Sequence, residues 1–226
     1  MENVKLTEIE WILLLTAIAA GTVDVISFAM LGGVFASAMT GNFALLAYYV
    51  AQHDSQAAMS SVVALTGFVA GCAIGVLQRR GRAPRQALTM LLASEAGLVI
   101  FFALYALWTP HLPHAPADHL QILLLAVAMG LQAVIGQTIS LTTIVFTTTL
   151  TKLVGAIADS LANGDTLGLK DIKIQSAVVV SYLFGALLAG ALIVHKVIAV
   201  VLLPGMAVAA ALAVHYLSHR NRYLED

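Results

Sequence analysis

The sequence predicts an all-α, polytopic helical membrane protein with six spans, two short re-entrant or broken helices and an inverted repeat of three plus three spans. Three observations lead there. Hydrophobic residues make up 60% of the chain and charged residues 10%, against about 25% charged in a soluble domain, and the mean hydropathy is +0.93. The few charges gather at the amino terminus, at Arg79 to Arg85, at Lys170 to Lys173 and at the tail. Between them lie apolar runs of about twenty residues, the length a helix needs to cross roughly 30 Å of hydrocarbon. Finally, polar residues recur at corresponding places in two of the shorter runs. Residues 1–226 are expected to form a single transmembrane domain, with repeat halves at about 8–108 and 119–218. A net charge of −1 argues against nucleic acid as a partner.

The amino terminus is acidic, and the apolar run after it is longer than a signal core and lacks a small-residue cleavage site, so no removable signal peptide is expected. The first run, Trp11 to Met30, carries Asp24 and is followed by a Gly32-Gly33 break. The second, Val34 to Val50, is short and contains Thr40, Gly41 and Asn42. The third, Met59 to Leu77, places Gly67, Gly71 and Gly75 on one smooth face. Such a face admits a close helix neighbour, either within the chain or from a second copy in a homodimer. The arginine-rich turn that follows faces the cytoplasm by the positive-inside rule.

Ala87 to Trp108 is the fourth run and holds Glu95; the proline-rich stretch from Thr109 to His119 has no Lys or Arg and fits an outside loop. The fifth, Leu120 to Leu141, contains Gln132, and the sixth, Ile144 to Leu161, is threonine-rich and carries Lys152. Ile174 to Val194 and Val197 to Leu217 complete the series. If all these runs crossed, Lys170, Lys173 and the basic tail would emerge outside. If the second and sixth dip in and return, every basic cluster except Lys196 falls on the cytoplasmic side. The separation of Thr40 from Thr147 nearly equals that of Gly21 from Gly130, which aligns the two dipping runs and inverts the second half. Inverted repeats with an interrupted helix in each half are typical of transporters and of some channels.

Three segments carry a resemblance: Gly21 to Phe28 (GTVDVISF), Met39 to Phe43 (MTGNF) and Met129 to Gln132 (MGLQ). With them the chain resembles the YoaK-like family of small bacterial membrane proteins, from about residue 10 to residue 218. The resemblance implies six spans, a bacterial origin and a transport-related role with no named substrate. Family members tend to carry a second Thr-Gly step in the second half, where this chain has Thr147-Thr148.

Asp24 heads the candidate residues, because a carboxylate near a helix centre costs about 2.5–3.5 kcal/mol on insertion scales and usually faces a bundle interior or an aqueous path. With Gly21 and Ser27 it would line a notch and hold a proton or cation; alternatively it is a structural partner for Lys152 or for a helix end. Lys152 would pair with Asp24 or Glu95, or snorkel to the interface. Thr40, Gly41 and Asn42 suit a half-helix start, with Thr40 as N-cap and amide groups open to an anion; Thr147 and Thr149 sit at the corresponding place. These polar residues would otherwise merely satisfy a broken helix. Glu95 and Gln132 either complete a cavity or make ordinary interhelical hydrogen bonds. His111, His114, Asp118 and His119 match no tight metal motif, and neither a metal nor a cofactor is expected.

The expected function is secondary transport of a small solute, coupled to a proton or cation, with the site at the repeat interface. A passive channel is the alternative, and a lipid-binding protein or intramembrane enzyme comes after it. No catalytic residues are expected. The partners are the lipid bilayer and an unknown small solute or ion, and the location is the bacterial cytoplasmic membrane with both termini inside.

Overall fold

Thr7 starts the first helix. Its amide donates to Glu10 Oε2 (2.6 Å) and its hydroxyl accepts from the Glu10 amide (3.4 Å), a reciprocal cap that sets the chain into α1, Glu8–Met30. The molecule, a computed structural model, is described over residues 7–109, 119–139, 146–163 and 169–222; side chains at 146–149, 152, 160–171 and 219–222 fall outside that description. After α1 come α2 (Met39–Ala51), α3 (Ser55–Arg79) and α4 (Pro84–Trp108), then α5 (His119–Thr138), α6 (Phe146–Asn163), α7 (Leu169–Val194), a 3-10 turn (Ile198–Leu202) and α8 (Leu203–Arg222). Asp54 caps α3 by accepting from the Ala57 amide (3.0 Å), Pro84 opens α4, and Gly81, with φ +72°, makes the tight arginine turn between them.

Among the described residues, six helical segments are long and apolar enough to cross a membrane: α1, α3, α4, α5, the Ile172–Val194 part of α7, and Ile198–Ser218. Helix α2, at 13 residues, is only about 20 Å long and falls short. Two threonines inside the first span satisfy themselves locally: the Thr16 hydroxyl donates to Ile12 O (2.8 Å) and that of Thr22 to Ala19 O (2.7 Å).

Helices α1 and α5 form the buried centre. The most extensive packing joins α3 to α5 and α1 to α7, followed by α4 on α5 and α1 on α8; α2 lies on α3 and α6 on α7. Both leading pairs run parallel, and both cross on glycine. A Cβ on Gly71 would strike the Val127 carbonyl, and one on Gly130 would strike the Phe68 carbonyl and come within 2.8 Å of the Cys72 amide nitrogen. In the other pair, a Cβ on Gly185 would strike the Ile18 carbonyl, and one on Gly21 would strike the Tyr182 carbonyl and lie 3.0 Å from the Ala186 amide nitrogen. Gly130 thus takes the place of Gly21, and Phe68 that of Tyr182, contact for contact.

This arrangement supplies one of the two neighbours expected for the α3 glycines. Gly67, Gly71 and Gly75 are buried against Leu123, Ala126, Val127 and Val134 of α5, so the smooth face serves the chain's own packing and is not open to a second copy.

The basic segments share one end of the bundle. Arg85 and Glu8 line the same cavity, Ser218 near the end of α8 bonds to Glu8, and Ile174, beside Lys173, packs under Leu13 and Leu14. Lys196 sits at the opposite end, beside Met30.

Candidate membrane-buried site

Helix α1 stops where the Leu31 amide makes its last helical bond, to Ser27 O (3.2 Å). Gly32 (φ +102°) and Gly33 (φ +73°) then turn the chain back on itself, a conformation open to glycine alone without strain. The returning strand runs down beside α1, and Val34, Ala36 and Ser37 are buried. At its lowest point it meets Asp24. The Ser37 amide donates to Asp24 Oδ1 (2.8 Å), the Ser37 hydroxyl donates to Oδ2 (2.5 Å), and the Tyr182 hydroxyl from α7 donates to Oδ2 as well (2.8 Å). Asp24 lies six residues before the end of α1, so the loop descends about 9 Å below that end. The carboxylate is 2% exposed, and its donors replace the water it has lost.

A second clasp holds the upper part of the loop. Asn42 Oδ1 accepts from the Phe35 amide (2.9 Å) and Asn42 Nδ2 donates to the Phe35 carbonyl (2.5 Å), so one side chain pairs with the irregular backbone as a neighbouring strand would. Phe35 stacks on Phe28 with ring centroids 5.1 Å apart, and a Cβ at Gly41 would press on that ring at 3.1 Å. Gly41 makes room for Phe35. The N-cap of α2 is Ala38, without a side-chain hydrogen bond, and Thr40 is exposed, which corrects the expected Thr40 cap. The physical reason is that Asn42 already binds the loop backbone, and the helix begins just ahead of Thr40.

The other candidates fall elsewhere. The notch expected along Gly21, Asp24 and Ser27 is filled by α7, whose backbone covers Gly21 while the Tyr182 hydroxyl reaches Asp24. The Ser27 hydroxyl is buried with no hydrogen-bond partner among the described residues. Glu95 sits near the middle of α4, 0% exposed, and neither carboxylate oxygen has a partner among the described residues. Gln132 donates from Nε2 to the Thr16 carbonyl (2.9 Å), leaving its buried Oε1 unpartnered. Asp24 draws its donors from Ser37 and Tyr182; the side chain of Lys152 lies outside the described residues, as do those of Thr147 and Thr149. His111, His114 and Asp118 also lie outside them, and His119 places Nε2 3.5 Å from Ser60 Oγ.

Sequence reasoning missed Ser37 and Tyr182, the two residues that complete the Asp24 centre. Tyr182 shares its run with Ser176, Ser181 and Phe184, so nothing local singles it out. A further cluster at the basic end was also missed. There His215 Nδ1 meets Glu8 Oε1 (2.6 Å), Ser218 Oγ donates to Glu8 Oε2 (2.7 Å) and His215 Nε2 pairs with Thr89 Oγ1 (2.8 Å). It ties α1, α4 and α8 together beside a cavity of about 440 Å³ lined in part by Arg85, Leu88 and Thr138.

Comparison with known proteins matches residues 12–215 to the family described as a protein of unknown function, DUF1275. The chain belongs to the DUF1275 family. It is 30% identical over 186 residues to the UPF0700 transmembrane protein YoaK of Bacillus subtilis (strain 168), covering 78% of this chain and 80% of that protein. No solved structure matches. The DUF1275 match spans both the Asp24 centre and Glu95, and with the six apolar helices it makes this a multi-pass membrane protein.

Proposed function

We propose that this DUF1275 protein is a secondary transporter for a small solute in the bacterial cytoplasmic membrane, coupled to a proton or cation, and not an enzyme. One observation carries the reading: irregular backbone is held at membrane depth by a buried carboxylate that joins two separate elements, the loop through Ser37 and α7 through Tyr182. Irregular backbone at such depth persists only when buried in protein or lining a cavity, and in transporters it marks the substrate or ion site. A ligand or proton that takes over Asp24 would release the loop from α7, which is the kind of two-state contact a gate requires. The matched glycine crossings support an inverted 3+3 repeat as the frame for that movement. The clustering of Arg79 to Arg85, Lys173 and the α8 end supports both termini and this turn facing the cytoplasm.

The test is uptake into vesicles of purified protein under an imposed pH gradient, using a panel of amino acids, sugars and monocarboxylates. Gradient-driven accumulation of one solute class by the wild type, reduced at least tenfold in Asp24→Asn and Tyr182→Phe, supports the reading. Downhill flux that ignores the gradient and survives Asp24→Asn would make the protein a passive channel. No flux of any solute would overturn both.

A further inference from the structure

We propose that Glu95, with the Gln132 side-chain oxygen, forms an exchangeable binding site for a proton or a small monovalent cation at the centre of the bundle. As the coupling site it rests on the transporter reading, but the binding itself does not. The two buried carboxylates among the described residues, Asp24 and Glu95, are built differently. Asp24 accepts from the Ser37 amide and hydroxyl and the Tyr182 hydroxyl, whereas both Glu95 oxygens and Gln132 Oε1 are buried with no donor among the described residues. All three orphaned atoms are acceptors, and they call for a positive or proton-donating occupant. A bare carboxylate in so apolar a place is far too costly to hold without one.

The helix registers bring these groups to one level. Leu91 and Leu92, just before Glu95, share a core cluster with Leu131, Val134 and Ile135, which flank Gln132 on antiparallel α5. Ala96, just after Glu95, packs with Ile18 and Ala19 of α1, while Gln132 reaches Thr16 on the same helix. Glu95 and Gln132 are therefore within about one helical turn in height, on the directly packed helices α4 and α5.

No neighbouring cation competes for the role among the described residues. The elements around α4 are α1, α3, α5, α8 and the 3-10 turn. Where side chains are described, their titratable groups are Glu8, Glu10 and Asp24 on α1, Cys72 and Arg79 on α3, His119 on α5, and His215 and Tyr216 on α8. Asp24 is five residues beyond Ala19, about 8 Å away in height, and is filled by its own donors. His215 bonds to Thr89, six residues before Glu95 and about 9 Å lower. Arg79 and His119 lie at the helix ends, and half-buried Cys72 packs with the leucine cluster.

On the basic side a cavity comes within two helical turns of Glu95. The cavity of about 440 Å³ beside His215 and Arg85 reaches Leu88, which lies on the Glu95 face of α4 two turns away, about 10 Å. Only Leu91 and Leu92, both 0% exposed, stand between them on that face. A cation entering from the arginine side would thus pass a short apolar plug to reach the carboxylate.

Infrared difference spectroscopy of the detergent-purified full-length protein tests the site, comparing low with high pH in sodium chloride or choline chloride. The wild type should show a reversible protonated-carboxyl band with a component that Glu95→Gln removes and Asp24→Asn retains. Gln132→Met, which leaves the carboxyl in place, should keep the band but move its midpoint. A midpoint that falls when sodium replaces choline assigns a site shared by proton and sodium; a midpoint indifferent to sodium assigns a proton site. A difference spectrum identical in wild type and Glu95→Gln, with both variants folded by circular dichroism and monodisperse, would overturn the proposal. A Glu95 that titrates in a protein moving no solute would leave this site standing and remove the transporter reading.

Discussion

Asp24 and Glu95 present the same side-chain chemistry in two opposite settings. Asp24 is surrounded by a backbone amide and two hydroxyls, and it organises a loop that no regular hydrogen bonding could hold. Glu95 lies in a continuous helix, touches no donor and organises nothing that the described residues reveal. A buried polar group that is satisfied contributes structure, and one that is not remains as a standing cost. Removing the first should therefore destabilise the protein, and removing the second should stabilise it.

The largest effect is expected for Asp24→Ala, which leaves the Ser37 amide and the Ser37 and Tyr182 hydroxyls without their acceptor. At roughly 1–3 kcal/mol for each orphaned group, the total is about 4 kcal/mol. Thermal unfolding in detergent should show a large drop, with protease cleavage appearing within residues 31–38. Intact behaviour would mean that the loop stands without its carboxylate. Next comes Glu95→Met, where replacing an unpaired buried acid by an apolar side chain of similar size should raise stability by about 2 kcal/mol, seen as a higher unfolding midpoint. A lower midpoint would show that Glu95 has a stabilising partner.

Smaller changes sharpen the contrast. Tyr182→Phe should cost about 1 kcal/mol, since Asp24 keeps both bonds from Ser37. Phe68→Tyr examines the equivalent crossing, where Ala133 occupies the place corresponding to Asp24. With no carboxylate there to accept it, the new hydroxyl should lower the unfolding midpoint by an amount comparable to Tyr182→Phe. A rise would reveal an acceptor on the α5 side. The smallest effect should be Ser37→Ala, below about 1 kcal/mol, because the backbone amide bond to Oδ1 survives.

Much of this architecture was legible in the residues. Apolar runs separated by basic clusters marked the spans, and charge parity separated the short α2 from the crossing helices. The break at Gly32-Gly33 and the polar character of Asn42 were visible too, although the partners were not. Asn42 binds Phe35, only seven residues away, yet the contact exists only because two glycines fold the loop back. Thr40 misled because its capping preference is local, whereas the start of α2 is set by how the loop docks. The glycines of α3 advertised a close contact without naming the neighbour, since a smooth face fits a helix of the same chain as well as a second copy.

The sequence by itself determined which segments belong in lipid, because transfer free energy is a property of composition along a run. It also marked where the backbone must break, because glycine pairs and proline act on their own dihedral angles. Only the tertiary structure decided that Asp24 is held by Ser37 and Tyr182 while Glu95 meets no donor among the described residues. Hydrogen-bond satisfaction depends on distance and direction between elements far apart in the chain, and no single run carries that information.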